Sequence, residues 1–120
     1  MNFIMVALGG ALGAMARYAI SLIPVKTGFP ILTLITNIIG AILIGFIVGI
    51  ASEHEGISDN MILFLKTGVC GGFTTFSTFS LEGYNLLENH QYIAGGAYIG
   101  LSCLCCIVGI MLGHRIAIIL

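Results

Sequence analysis

The residues best suited to chemistry lie in GVCGGFTTFSTFS, residues 68–80, which holds three glycines, five hydroxyl side chains and three phenylalanines. Phe76 and Phe79 are three residues apart and share one helical face. A phenylalanine ring is partly positive at its edge, and serine or threonine hydroxyls donate hydrogen bonds. Rings and hydroxyls could therefore hold a small anion without a lysine that would trap it. Packing of the two rings in a protein core is the alternative interpretation.

Two other groups of polar residues lie in apolar surroundings. Asn37 follows Thr33 by one helical turn, and its amide requires a partner, a water-filled lumen or a ligand. It could also simply bond a neighbouring helix. Tyr98, Ser102 and Cys106 recur at every fourth residue and form a narrow stripe on one face of a helix. Such a stripe either lines a polar track or pins two helices together.

These residues must be positioned by membrane-spanning helices. Hydrophobic residues make up 58% of the chain and charged residues only 8%, far from the balance of soluble proteins. The apolar runs predict an all-α integral membrane protein with one domain, residues 1–120, and four spans. The predicted spans cover residues 3–23, 31–51, 61–87 and 93–119.

The third predicted span contains a break near residues 71–75. Three glycines weaken the helix there, and the adjacent Thr74 and Thr75 compete for backbone hydrogen bonds. Backbone groups freed inside a bilayer must be satisfied by protein, water or an ion. Free carbonyls at the break would favour a cation, and the amino end of the next half-helix would favour an anion.

The charged residues do not fix an orientation in the membrane. With four spans, Lys66 and Arg115 lie toward one face, and Arg17 and Lys26 lie toward the other. The positive-inside rule therefore gives no preference. Either a partner or one conformation decides the orientation, or the chain inserts both ways and forms an antiparallel dimer.

Small residues spaced by four predict close helix contacts, either within one chain or between two copies. They are Gly9 with Gly13, Gly10 with Ala14, Ala41 with Gly45 and Gly49, Gly96 with Gly100, and Gly109 with Gly113.

Several classes of protein are disfavoured. The four cysteines fall within spans, where neither a disulfide framework nor a zinc site fits. No nucleophile and base pair indicates an enzyme, and no basic tract indicates nucleic-acid binding. The main alternative is a small multidrug transporter with proton-coupled export, but its first span would need a carboxylate, and residues 3–23 contain no acid. A non-conducting membrane subunit would leave Asn37 and the break without a purpose.

Four motifs resemble those of one family over essentially the whole chain. They are GGALGAMARY (9–18), TNIIGA (36–41), GGFTTFSTFSLE (71–82) and YIGLS (98–102). The chain resembles the Fluc fluoride channels, also called CrcB proteins. The resemblance implies an antiparallel, dual-topology homodimer in a prokaryotic inner (plasma) membrane. Such dimers conduct fluoride passively through two pores, which removes fluoride from the cytoplasm and lowers its toxicity.

The resemblance also implies roles for individual residues. Phe76 and Phe79 match the phenylalanines that line the fluoride path from opposite subunits, with Asn37 as a polar donor beside them. Tyr98 and Ser102 match a polar track on the fourth helix. The further hydroxyl donors are Thr75, Thr78 and Ser80.

The remaining roles concern a cation and the ends of the path. Gly71 and Thr74 match positions whose backbone carbonyls, from both subunits, hold a structural sodium ion. Arg17 matches an arginine near the aqueous vestibule, and Glu82 matches an acid at the far end of the third helix. Cys106 departs from the pattern, because a serine is expected there and a thiol is a weaker donor.

Overall fold

A computed structural model describes all of residues 1–120, and every regular element in it is helical. The all-helical prediction is therefore confirmed. The elements in chain order are α1 (Asn2–Ser21), α2 (Ile31–Glu53), α3 (Asp59–Ile62), a π-helix (Leu63–Cys70), α4 (Gly71–Phe73), α5 (Phe76–Glu88) and α6 (Tyr92–Ile119).

Three of these helices are long and apolar enough to cross a bilayer, namely α1, α2 and α6. Their large apolar side chains mostly face outward, and only 20 of the 120 residues are buried. A soluble monomer rarely exposes so much contiguous apolar surface. These helices are therefore suited to a lipid environment. A fourth span over residues 61–87 stays a prediction, because that segment consists of shorter helical pieces.

The segment from residue 59 to residue 88 is interrupted in its middle. It starts at the cap residue Ser58, whose hydroxyl accepts a hydrogen bond from the Met61 amide at 3.2 Å. Helical geometry ends at Phe73, and Thr74 and Thr75 are extended, with ψ values of 159° and 124°. A new helix then begins, and the Thr75 hydroxyl caps it. Two half-helices result, separated by the two extended threonines.

The threonines rather than the glycines interrupt this segment. Gly71 is itself helical, with φ −63° and ψ −39°. The Thr74 hydroxyl donates to the Cys70 carbonyl at 2.8 Å, and the Thr75 hydroxyl accepts from the Thr78 amide at 3.1 Å. Side-chain bonds of this kind compete with the helical pattern and favour a cap.

The glycines instead allow helices to approach closely. A Cβ atom on Gly9 would overlap the Gly68 backbone, where α1 packs against the π-helix. A Cβ atom on Gly113 would overlap the carbonyl of Ile42, where α6 packs along α2. Most of the small-residue pairs thus serve contacts within the chain, as is common in membrane helices. Gly100 differs, because a Cβ atom there would meet open space.

This difference between glycines predicts the stability of two variants. Gly113→Ala should lower the free energy of unfolding by about 1–3 kcal/mol, because the added methyl group has no room against the α2 backbone. Gly100→Ala on the same helix is the matched control, and its methyl group meets no atom within 4 Å. Thermal unfolding of the two variants in detergent measures the effect. Equal melting temperatures would refute the close approach of α2 and α6.

A small buried cluster joins α5 to α2 and α6. It contains Leu34, Phe79, Leu86 and Tyr98. Tyr98 is completely buried, and its ring lies 5.3 Å from that of Phe79. This cluster holds the second half-helix in place beside the interruption at Thr74 and Thr75.

Candidate functional site

A groove of about 350 Å³ lies where α2, α6 and the interrupted segment meet. Its wall carries no lysine, arginine or histidine. The polar and aromatic side chains in the wall are Asn37, Thr74, Thr75, Phe76, Phe79, Ser102, and the thiols of Cys70, Cys103 and Cys106. The groove thus brings together most of the residues that the sequence analysis selected.

Asn37 holds the interruption from the side of α2. Its Oδ1 accepts a hydrogen bond from the Thr75 amide at 2.9 Å, and its Nδ2 donates to the Thr75 carbonyl at 3.1 Å. One carboxamide therefore satisfies both backbone groups of an extended residue inside an apolar fold. An amide nitrogen has a second hydrogen, which remains available to a ligand in the groove.

A row of aromatic rings runs from the groove into the buried cluster. The ring centroids of Phe76 and Phe79 are 5.5 Å apart. Tyr98 follows Phe79 in the row, and the Phe29 ring lies 5.6 Å from the Tyr98 ring. Phe76 is 78% exposed in the single chain, whereas Phe79 is buried. The outer ring therefore contacts the Phe79 ring but leaves most of its own surface uncovered within the single chain.

Two buried hydroxyl groups on α6 have no hydrogen-bond partner. They are the phenol of Tyr98 and the hydroxyl of Ser102, which lie one helical turn apart. Buried polar groups in proteins are nearly always satisfied by protein, water or an ion. Both hydroxyls thus have unused donor capacity. Ser102 lines the groove directly, whereas Tyr98 is completely buried and packs against Phe79 of the groove wall.

The carbonyl groups around the interruption are only partly satisfied. Arg17 on α1 donates from Nε to the Gly72 carbonyl at 3.2 Å. Outside the regular helices, no hydrogen bond ends on the carbonyl oxygen of Gly71 or Thr74. Backbone oxygens are ligands that a hard cation such as sodium accepts, so these two carbonyls have the donor chemistry that such an ion would need. No group of three or more His, Cys, Asp or Glu side chains converges anywhere in the chain.

Two further cavities lie on the other side of Thr75. The smaller, about 70 Å³, is lined by Arg17, Thr36, Thr75 and Thr78 among others. The larger, about 380 Å³, contains Thr78 and Glu82, and belongs to the region of the 24–30 loop. Thr75 borders both the groove and the smaller cavity, so it lies between the two sides.

Three further residues that the sequence analysis selected lie outside the wall of the groove. Thr78 faces the two further cavities and does not line the groove. The Ser80 hydroxyl donates to the Phe76 carbonyl at 2.8 Å within α5 and lies outside the groove. Glu82 on α5 accepts a hydrogen bond from the hydroxyl of Thr33 on α2 at 2.6 Å. This bond holds the Glu82 carboxylate against α2.

Thr36 is a polar residue that the sequence analysis did not select. It is buried and lines the smaller cavity together with Arg17. Its signal in the sequence is a hydroxyl directly before Asn37 and three residues after Thr33, within a long apolar run.

Comparison with known proteins relates the whole site to one family. Residues 4–114 match the family model described as CrcB-like protein, Camphor Resistance (CrcB). A relative in Clostridium perfringens is 46% identical over 120 residues, which cover 98% of this chain and 94% of the relative. A relative in Methanococcus vannielii is 43% identical, covering 97% of this chain and 95% of the relative. A third relative, in Ruminiclostridium cellulolyticum, is 44% identical, and the match covers 97% of this chain and 92% of the relative.

Each of these relatives is named fluoride-specific ion channel FluC. The matched region includes every residue that lines the groove, both extended threonines among them. Because the match extends over nearly the full length of both partners in each comparison, the chain belongs to the CrcB family.

Proposed function

We propose that this protein is a passive, fluoride-selective ion channel of the plasma membrane. The observation that carries the proposal is near-full-length similarity to relatives named fluoride-specific ion channels. The groove supports it independently, because it offers an amide, hydroxyls and ring edges at one place in a membrane protein. Fluoride that enters a cell as uncharged hydrogen fluoride dissociates inside, and a passive exit for the anion lowers its internal concentration.

The chemistry of the groove suits fluoride for a physical reason. Fluoride is small and holds its water tightly, so a selective path must replace that water with several short hydrogen bonds. The amide hydrogen of Asn37 and the hydroxyls of Ser102 and Thr75 are such donors, and the edges of Phe76 and Phe79 add weaker ones. No lysine, arginine or histidine side chain lines the groove, so no basic side chain holds the anion too tightly to leave.

Arg17 then acts outside the narrow part of the path. It borders the smaller cavity, where a positive charge raises the local concentration of anions. Its bond to the Gly72 carbonyl fixes it near the interruption without placing it in the groove. Thr75 and Thr78 offer hydroxyls between the cavity and the groove.

The path is completed by a second copy of the chain in the opposite orientation. The groove is open on one side, and Phe76 projects there with most of its surface exposed. The two balanced pairs of basic residues permit insertion in both orientations. An antiparallel dimer buries both open grooves and gives two paths related by symmetry.

The dimer is tested by the accessibility of its C-terminus. A protease site added after Leu120 should be cleaved from both sides of the membrane in intact cells and inverted vesicles. Cleavage from one side only would refute the antiparallel arrangement.

The carbonyls of Gly71 and Thr74, from both copies, would hold one sodium ion at the dimer axis. The ion supplies fixed positive charge and satisfies the backbone oxygens that the interruption frees. Asn37 and Arg17 support the same segment by bonding Thr75 and Gly72. The chain's own residues thus shape the site, and the ion is not transported.

The two unpartnered hydroxyls give a prediction that separates function from stability. Tyr98→Phe and Ser102→Ala should leave the melting temperature unchanged or slightly raised, because each removes a buried hydroxyl without a partner. Fluoride flux should fall by about tenfold in each, since a donor worth about 1–2 kcal/mol to the anion is lost. Melting in detergent and efflux from liposomes provide the two measurements. A lower melting temperature with normal flux would indicate a structural role instead.

The proposed function is tested with purified protein in liposomes loaded with fluoride or chloride. After valinomycin is added to carry potassium, fluoride should leave rapidly and chloride should stay inside. A proton-coupled exporter would instead require a pH gradient. Fluoride retention with valinomycin and without a pH gradient would contradict the proposal.

A further inference from the structure

Three thiols line the groove, and the two on α6 are not used by the conduction mechanism. Cys103 and Cys106 both border it, and they are three residues apart on α6. Residues at this spacing lie on the same face of a helix, with Cβ atoms about 5–6 Å apart. Cys105, between them, is not in the wall of the groove. The two sulfurs therefore face one space and lie within reach of one ion.

We propose that Cys103 and Cys106 form a binding site for a soft, two-coordinate metal cation, with Ag⁺ as its simplest example. Thiolates are the protein ligands that soft cations select. Ag⁺ and Cu⁺ form linear complexes with two sulfurs, whereas zinc requires four ligands in a tetrahedron. No group of three or more His, Cys, Asp or Glu side chains in the chain is arranged to hold a metal ion together, so a two-ligand, linear site suits these thiols. Cys70 also lines the groove but is almost fully buried in the third segment.

Binding of Ag⁺ to the two thiols requires no oxidant. Two neutral thiols release two protons to the buffer, and their sulfurs bind one Ag⁺ in a complex of the form S–Ag–S. The metal keeps its oxidation state, and the complex carries one net negative charge. Thiolate formation is promoted by the metal itself, as in other thiolate sites.

The charge gives the site a consequence for conduction, and this step rests on the proposed function. The bound complex places a negative charge in the wall of the anion path, where no lysine or arginine offsets it. Repulsion between two anions is strong in an apolar environment of low dielectric constant. The complex also occupies part of a groove of about 350 Å³. Silver should therefore inhibit fluoride efflux.

The experiment uses the purified full-length protein and silver nitrate in chloride-free buffer. Native mass spectrometry should show one Ag⁺ per chain for the wild type. Fluoride efflux from liposomes should slow by at least about tenfold and recover after excess dithiothreitol removes the metal. Each variant is compared with its own rate in the absence of silver.

Three variants identify the ligands. Cys103→Ser and Cys106→Ser should each lose the bound ion and the inhibition by silver. Cys105→Ser is the matched control and should retain both. Equal binding and inhibition in all three variants would overturn the inference, as would the absence of bound silver in the wild type.

A second measurement uses only the wild-type chain, so it does not depend on the folding of any variant. Silver should protect Cys103 and Cys106 from alkylation by iodoacetamide, while Cys105 reacts to the same extent with or without silver. Equal labelling of all three thiols in the presence of silver would also overturn the site. Silver binding in a protein that never conducts fluoride would instead leave the site in place and refute the proposed function.

Discussion

Phe76→Ile is expected to abolish fluoride efflux while leaving the protein folded. Phe76 is 78% exposed in the single chain, so its ring contributes little to packing within the chain. Isoleucine keeps an apolar side chain but lacks the partly positive ring edge that meets an anion. We expect a loss of at least about 100-fold in flux, because the ring edges of the two copies would act together in each path. Efflux from liposomes and melting in detergent are measured on the same preparation.

Phe3→Ile is the matched control for this substitution. Phe3 lies at the start of α1 and is 91% exposed, so the change removes an equally exposed ring far along the chain from the groove. Its flux should equal that of the wild type. Normal flux in Phe76→Ile would remove the ring from the mechanism, whatever the control shows.

Asn37→Ala is expected to lose both stability and conduction. The side chain supplies the only hydrogen-bond partner of the Thr75 amide. Its removal leaves a backbone donor and a backbone acceptor without partners, at about 1–3 kcal/mol for each. The melting temperature should therefore fall clearly, and fluoride efflux should be lost. Both quantities are measured as for Phe76.

Asn37→Asp separates the two roles of this side chain. A carboxylate can still accept from the Thr75 amide, so part of the stability should be retained. It cannot donate, and its negative charge in the groove repels fluoride, so efflux should stay as low as in Asn37→Ala. An aspartate variant that conducts at the wild-type rate would show that Asn37 only supports the backbone.

The sequence predicted the type of structure well because the signals are local. Long apolar runs with few charges are sufficient to define α1, α2 and α6, and their ends lie within a few residues of the predicted ones. The groove residues Asn37, Phe76 and Phe79 were selected from spacing and polarity, and the structure places all three in one wall.

Other features depend on contacts that local patterns do not contain. The glycines of residues 71–72 were expected to unwind the helix, but Gly72 instead allows α1 to pack against it, and the extended residues are threonines. The bond from Arg17 to Gly72 joins residues 55 positions apart. The bond from Thr33 to Glu82 joins residues 49 positions apart. Neither pairing follows from spacing, because each needs the three-dimensional arrangement of the helices.

The sequence likewise could not predict which hydroxyl side chains face the groove and which face the cavity near Arg17. Thr75, Thr78 and Ser80 form one hydroxyl-rich motif, yet only Thr75 borders both the groove and the cavity near Arg17. The interruption turns successive residues in different directions, so helical periodicity no longer predicts which side each one faces. Thr78 lines the two further cavities, and Ser80 lies on the exposed surface of α5.

The central claim is that the groove beside Thr74 and Thr75 is a path for fluoride and not for larger anions. The most direct measurement is the reversal potential of currents through planar bilayers with fluoride on one side and chloride on the other. The account predicts a potential that follows the fluoride gradient and does not respond to chloride. A reversal potential that shifts with the chloride gradient, or a bilayer that carries no current in fluoride, would contradict it.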